Sequence, residues 1–126
     1  MATYEDLKAR GITVTSDPAI LKKNSRDTSI FERTPQVVTY PNNDADVATI
    51  VKYAADMRSR GFPTHVTARA AGTCMSGGSL TDSIVLSFTE HMNRIRDIGA
   101  AYVVAEPGIF YRDLEKVTLT NTGGLI

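Results

Sequence analysis

The sequence predicts an α+β fold, with a small parallel βαβ layer joined by a glycine-rich loop to an antiparallel sheet. A β-branched run at 35–40, an amphipathic stretch at 44–60 and an alternating run at 64–69 follow one another in the order of a βαβ unit. Residues 70–78 then hold three glycines among small side chains. The apolar runs over 84–108 have connections too brief for crossover helices, so antiparallel pairing is expected.

Composition limits the classes of function. The 126 residues are 42% hydrophobic and 22% charged, which suits one globular domain. Fourteen basic residues balance fourteen acidic ones, and Lys22-Lys23 is the longest basic cluster, so we expect no nucleic-acid partner. No apolar stretch approaches the ~18–20 residues of a membrane span, and the N-terminus lacks the pattern of a signal peptide. One cysteine and two isolated histidines predict no disulfide, no metal site and a cytoplasmic protein.

The chain divides into three segments by the strength of its patterns. Residues 1–34 form a weakly patterned N-terminal arm, in which a helix over 4–10, a strand over 12–15 and a helix opened by Asp17-Pro18 are expected. Residues 35–119 form the main domain. Residues 120–126 are interpreted as a tail or a truncation point, with Gly123-Gly124 as part of that tail.

The first strand and helix of the main domain have clear boundaries. Val37 to Tyr40 is a β-branched run that Pro41 stops. Asn43 or Asp44 can cap a helix whose apolar residues recur every three or four positions. That helix is expected to end at Arg60, because Gly61 favours a left-handed exit and Pro63 prevents continuation.

The region after the loop predicts three short strands and a helix. The strands are expected at Ile84–Phe88, Met92–Arg96 and Ala101–Ala105, with a hairpin at Asp97–Gly99 between the last two. Pro107-Gly108 ends the last strand, and a helix follows from Tyr111 to about Leu119.

The loop from Ala70 to Gly78 has the composition of an anion-binding nest. It contains no proline, so every backbone N–H can donate a hydrogen bond. Glycines at 72, 77 and 78 allow left-handed turns and close approach of a ligand. On composition alone, a tight connection between two strands is an equally good interpretation.

Three known loop motifs fit this segment poorly. Gly78 stands where a P-loop requires lysine, and Cys74 breaks the Gly-x-Gly-x-x-Gly dinucleotide fingerprint. A nucleophile elbow around Ser76 requires glycine at the position of Cys74, with an acid and a histidine downstream, where only His91 is found. A serine hydrolase is therefore the weakest of the functions considered.

The segment from Arg69 to Leu80, Arg-Ala-Ala-Gly-Thr-Cys-Met-Ser-Gly-Gly-Ser-Leu, closely resembles the loop of the FAD-linked oxidases. This is the family of vanillyl-alcohol oxidase and p-cresol methylhydroxylase, and its glycolate oxidase and D-lactate dehydrogenase-like members are the most similar. The resemblance extends in unbroken order over about 27–116. Its other parts are Pro35–Pro41, Ile84–Ser87, Met92–Ile95 and Val104–Gly108.

The resemblance implies FAD as cofactor and the N-terminal, truncated part of a p-cresol methylhydroxylase-type FAD-binding domain. The implied contacts to the diphosphate are Ala70, Ala71, Gly72, Thr73, Ser76, Gly77 and Gly78, with Cys74 as a small loop-filling residue, and those near the adenosine half are Pro41, Pro107 and Gly108. Members that bind flavin covalently through this loop carry histidine at the position of Thr73, so non-covalent FAD is expected.

The activity implied for the full-length protein is oxidation of a small 2-hydroxy acid or alcohol by hydride transfer to flavin N5. Family members continue into a substrate domain that carries the catalytic groups, so this chain alone is expected to be inactive without that domain or a partner subunit. A homo-oligomer is also possible. Another interpretation is a non-catalytic nucleotide-binding or assembly module. Arg69 is equally well explained by an ion pair or by a phosphate contact. His65 and His91 are interpreted as structural residues.

Overall fold

The structure, a computed structural model, describes residues 2–122. These residues form four helices and six short strands, in agreement with the α+β class. In chain order they are α1 (Ala2–Ala9), β1 (Val14–Thr15), α2 (Pro18–Lys23), β2 (Val37–Thr39), α3 (Asp44–Ser59), β3 (Val66–Arg69), β4 (Ile84–Ser87), β5 (Ile95–Ile98), β6 (Val103–Ala105) and α4 (Tyr111–Thr122).

The main sheet has the strand order β1-β2-β4-β3. β2 and β3 both run parallel to β4, with Val85 opposite Val38 on one side and Thr67 on the other. β1 pairs antiparallel with β2 at the edge of the sheet. All four residues of β4 are buried, because a central strand is covered on both faces. The prediction of a parallel layer with a helical crossover is thus confirmed.

The position of β4 corrects one detail of the prediction. Residues 84–88 were expected in the antiparallel sheet, but β4 inserts between β2 and β3 as a parallel strand. The irregular connection over 70–83 is long enough to return the chain to the opposite end of the sheet. Outside the main sheet, β5 pairs antiparallel with β6, and an isolated antiparallel bridge joins Arg26 and Glu32. The turn between β5 and β6 lies at 99–102 rather than at 97–99. The strand expected from Met92 begins at Ile95.

The helix boundaries follow the local signals closely. The Asn43 side chain accepts a hydrogen bond from the Asp46 N–H at 3.0 Å and caps α3, which ends at Ser59 before Gly61 with φ 90°. Asp17 caps α2 in the same way. α4 continues to Thr122, past the predicted end, and Gly123-Gly124 lie outside the described residues. No helix within 2–122 is both long and apolar enough to cross a membrane.

The N-terminal arm contributes to the same core as the rest of the chain. Leu7 and Ile12 are buried with Val37, Ile50 and Ile84 in one hydrophobic cluster. β1 also belongs to the main sheet. The division at residue 34 stays a prediction, and the packing shows that the arm and the following residues are stabilised together.

A buried carboxylate joins the β5–β6 hairpin to the start of α3. The Glu106 side chain is 3% exposed and accepts hydrogen bonds from the Arg94 backbone N–H at 2.9 Å and from the Arg96 guanidinium at 3.1 Å. Arg96 also contacts Asp44 at the first position of α3, at 3.3 Å. These donors offset the cost of removing the charge from water.

Glu106 makes the stability of the fold sensitive to acid. The Arg94 backbone N–H, aided by the Arg94 and Arg96 side chains, holds the pKa of Glu106 below its usual value of 4.5 although burial opposes this. A carboxyl whose pKa is lowered by folding stabilises the native state above its unfolded pKa and loses that contribution as the pH falls through the folded pKa. We expect the free energy of unfolding to decrease below pH 4.5.

Urea unfolding at a series of pH values measures this effect. Glu106→Gln should be less stable than the wild type at neutral pH, and its stability should depend less on pH in the acid range. Glu115→Gln, which changes an exposed carboxyl on α4, is the matched control and should behave as the wild type. Equal acid sensitivity of Glu106→Gln and the wild type would contradict this role.

Candidate functional site

The glycine-rich loop leaves the sheet at the carboxyl ends of its parallel strands. β2, β3 and β4 all point their carboxyl ends to this edge, where ligands of open α/β sheets usually bind. A cleft of about 370 Å³ lies there. Its lining includes Tyr40 after β2, Arg69 to Ala71 at the end of β3, and Ser87 at the end of β4 with Glu90 after it.

A second cleft also borders the beginning of the loop. It has a volume of about 710 Å³ and is bordered by Ala71 and Thr73 from the loop and by Ile109 to Asp113 around the start of α4. Ala71 and Phe110 line both clefts. The first residues of the loop therefore border two neighbouring concave surfaces.

Two glycines give the loop a backbone that other residues rarely adopt. Gly72 has φ 70° and Gly77 has φ 79°, both in the left-handed region. A Cβ on Gly72 would lie 2.8 Å from Cζ of Arg69, and one on Gly77 would lie 3.0 Å from the Phe31 ring. Gly78 lies outside the left-handed region, and its N–H donates to Cys74 Sγ at 3.2 Å.

The first part of the loop presents backbone donors that the protein does not use. Within residues 2–122, the N–H groups from Ala70 to Met75 donate no hydrogen bond to another residue. The side chains here are small apart from Met75, which is 84% exposed. Several main-chain donors in sequence, with left-handed turns beside them, form the type of concavity that binds anions.

The Arg69 side chain hydrogen-bonds to backbone carbonyl groups rather than to a carboxylate. Its guanidinium donates to the Arg26 carbonyl at 2.7 Å and to the Asn24 carbonyl at 3.5 Å. Burial lowers the pKa of Arg69, and the charge of Asp27 opposes that shift. These contacts give Arg69 a structural role between the arm and the loop without an ion pair to a described residue, and the phosphate contact stays a prediction.

Cys74 and Ser76 contact each other inside the loop. Their Sγ and Oγ atoms lie 3.4 Å apart, and hydrogen bonding from Ser76, with a further bond from the Gly78 N–H, lowers the pKa of Cys74. His65 and His91 are both exposed, and within residues 2–122 neither hydrogen-bonds to Ser76. The described residues therefore do not assemble the catalytic group of a serine hydrolase around Ser76.

The three residues assigned to the adenosine half lie beside the clefts rather than in their walls. The Pro41 side chain is fully buried, and Gly108 packs against the backbone of Phe88. Pro107 is exposed. Their neighbours Tyr40 and Ile109 line the two clefts. The role of Pro41, Pro107 and Gly108 stays a prediction.

Sequence reasoning missed two groups of residues at this site. Tyr40 and Phe110 line the clefts, and their positions directly after a strand and before a helix were a usable signal. Burial, together with the negative charge of Glu90, raises the pKa of Tyr40, which therefore stays a neutral hydroxyl. Thr28 and Phe31 contact the loop from the N-terminal arm, and no local pattern indicated this.

Comparison with protein families identifies the fold and its cofactor. A family model described as an FAD binding domain matches residues 35–124 of this chain. The chain belongs to the FAD binding domain family. FAD is therefore the cofactor of this domain, as the resemblance in the sequence implied. The match includes the loop, the larger cleft and most of the main sheet, and it begins after the N-terminal arm, which contributes Ile20, Lys23 and Asn24 to the smaller cleft.

Curated relatives of this FAD binding domain are D-2-hydroxyglutarate dehydrogenases. The protein of Pantoea ananatis is 36% identical over 110 residues, which cover 83% of this chain and 10% of the relative. The Escherichia coli protein is 34% identical over 94 residues, which cover 73% of this chain and 9% of the relative. The chain spans about one tenth of the length of the curated relatives it matches.

Solved structures share the fold at lower sequence identity. The BBE-like 1 protein of Physcomitrella patens superposes with a TM-score of 0.75 at 16% identity, over 95% of this chain and 26% of that chain. The 4-ethylphenol oxidase of Gulosibacter chungangensis gives a TM-score of 0.74 at 20% identity, over 97% of this chain and 24% of that chain. This chain thus shares the fold of these two proteins over nearly all of its length.

Proposed function

We propose that the loop from Ala70 to Gly78 holds the FAD diphosphate and that this chain is the N-terminal part of the FAD-binding domain of an oxidoreductase. The observation that supports this most directly is the run of backbone N–H groups from Ala70 to Met75 with no acceptor within residues 2–122. Charge-assisted hydrogen bonds contribute ~1.5–3 kcal/mol each, so a few of them hold a diphosphate without a lysine.

The residues present fit this cofactor. Gly72 and Gly77 take left-handed conformations, and the space around each lacks room for a side chain without displacement of Arg69 or Phe31. Ser76 adds a hydroxyl, and Cys74 fills the loop from inside through its contacts to Ser76 and Gly78. Pro41, Pro107 and Gly108 are proposed to shape the adenosine half from behind the clefts.

For the whole protein we propose oxidation of a small 2-hydroxy acid, of the 2-hydroxyglutarate class named by its relatives. Bound FAD supplies the acceptor for the hydride removed from the substrate carbon. This chain supplies the diphosphate loop, while the rest of the protein or a partner subunit supplies the substrate site and the catalytic residues, so the chain alone is inactive. A homo-oligomer and a cytoplasmic location, suited to a single unpaired cysteine, are part of the same proposal.

The domain boundaries and the mode of FAD attachment complete the proposal. Residues 35–119 form the part of the FAD-binding domain present here, preceded by the arm at 1–34, and α4 extends beyond this boundary to Thr122. Thr73 lines the larger cleft and offers no imidazole for a bond to the flavin, so FAD is held without a covalent bond. Hydrogen bonding and shape alone then retain the cofactor.

Calorimetric titration of the chain with FAD, ADP and FMN tests the assigned loop. ADP should compete with FAD, because both carry the diphosphate and adenosine for which the loop and its neighbours are proposed. FMN lacks the second phosphate and the adenosine, and it should compete poorly. Competition by FMN but not by ADP would contradict the role of the loop. Flavin that stays with acid-precipitated protein would contradict non-covalent binding.

A further inference from the structure

We propose that residues 24–31, here called the bracing segment, position the FAD loop although they lie outside the matched family region at 35–124. Thr28 is the principal positioning residue of this segment. The inference rests on the proposed function of the loop. It concerns residues that touch the loop and not the cofactor.

The bracing segment contacts the loop region at its beginning, middle and end. At the beginning, Arg69 donates to the carbonyl of Arg26 at 2.7 Å. In the middle, the Thr28 hydroxyl lies 2.9 Å from the carbonyl oxygens of both Thr73 and Cys74. At the end, the Ser79 hydroxyl donates to the Asp27 carboxylate at 3.1 Å, and the Phe31 ring packs next to Gly77.

The Thr28 contacts determine the direction in which loop donors point. A trans peptide unit is planar, so its N–H points opposite to its C=O, and all described peptide bonds are trans. The carbonyls of Thr73 and Cys74 turn toward Thr28, and the N–H groups of Cys74 and Met75, in the same two peptide units, must therefore turn away from it. One hydroxyl thus orients two of the unused donors.

Hydrogen bonds within the bracing segment make it rigid enough to act on the loop. The Asp27 carboxylate accepts from the Ser29 N–H at 2.9 Å, and the Ser29 hydroxyl accepts from the Phe31 N–H at 3.1 Å. Hydrogen bonds from Ser29 hold the pKa of Asp27 below its usual range, so the carboxylate stays charged to accept from Ser79. Donors oriented before the ligand arrives bind it more tightly, because less conformational freedom is lost on binding.

Three threonine variants test the inference in the full chain. Thr28→Val keeps the shape and removes the hydroxyl, and it should weaken FAD and ADP binding about five- to tenfold, the effect of one hydrogen bond. Thr28→Ser restores the hydroxyl and should restore affinity. Thr49→Val is the matched control, because its hydroxyl donates to the Ala45 carbonyl of α3 at 2.9 Å, away from the loop, and its affinity should equal that of the wild type.

The alkylation rate of Cys74 by iodoacetamide reports the order of the loop without any ligand. Cys74 is the one cysteine of the chain, so the rate belongs to this residue alone. The rate should rise in Thr28→Val and return to the wild-type value in Thr28→Ser, while the thermal midpoints of all variants stay similar. Unchanged alkylation and unchanged affinity in Thr28→Val would overturn the inference. If the wild type binds neither FAD nor ADP, the proposed function fails, and the alkylation rate still decides whether Thr28 orders the loop.

Discussion

Valine at Gly72 or at Gly77 is expected to reduce FAD affinity by more than about a hundredfold, a loss of about 2.7 kcal/mol. Both glycines have positive φ, where a non-glycine residue costs ~1–2 kcal/mol and a β-branched one costs more. The new side chain would also meet Arg69 at position 72 or Phe31 at position 77. The loop must change shape to accept it, and the backbone donors lose their alignment.

Two other glycines separate the backbone cost from the loop effect. Gly11 has φ 78° and Gly61 has φ 90°, and a Cβ on either would meet nothing within 4 Å. Gly11→Val and Gly61→Val therefore carry a similar conformational cost outside the loop and should bind FAD as the wild type does. Fluorescence titration with FAD measures all four variants. Wild-type affinity of Gly72→Val would contradict the assigned site.

The remaining loop positions should respond less strongly. Ser76→Ala removes one replaceable hydroxyl and should weaken binding only a few-fold. Gly78 lies outside the left-handed region, and a Cβ there would meet Cys74 Sγ at 3.2 Å, so Gly78→Val should act mainly through this contact. An esterase activity that disappears in Ser76→Ala would instead favour a hydrolase.

Alanine at Gly108 is expected to cause the largest loss of stability, about 3 kcal/mol or more of the free energy of unfolding. A Cβ at this position would collide with the backbone carbonyl of Phe88 and lie 2.7 Å from that of Met92. These are main-chain atoms of a turn whose side chains belong to the hydrophobic core, so they cannot rotate away. The Gly108 N–H also donates to the Met92 carbonyl at 2.8 Å, which fixes the approach.

Gly99→Ala is the matched control for this prediction. A Cβ on Gly99 would meet the ring of Tyr102, which is 53% exposed and can change its rotamer. Gly99→Ala should lower the free energy of unfolding by less than about 1 kcal/mol, as an ordinary surface substitution does. Urea unfolding compares the two variants with the wild type. Similar losses at Gly99 and Gly108 would show that the backbone contact at Gly108 is not responsible.

The sequence by itself determined the local elements and the type of site. Asn43 and Asp17 predicted helix starts and Gly61 a helix exit, because caps and glycine turns depend on atoms within a few residues. The order of strand, helix, strand and small-residue loop predicted the parallel layer. The segment from Arg69 to Leu80, together with its neighbouring strands and helix, resembled the FAD-linked oxidases, and the family match over 35–124 confirms an FAD binding domain.

Only the tertiary structure decided which distant segments meet. β4 pairs between β2 and β3 because the connection over 70–83 returns the chain to the start of the sheet, and a strand's own residues do not specify that route. Thr28 reaches the Thr73 carbonyl across 45 residues of sequence, and the partners of Arg69 are backbone carbonyls that every residue possesses. Such contacts leave no pattern in the sequence, because they depend on how the folded elements pack and not on the local order of side chains.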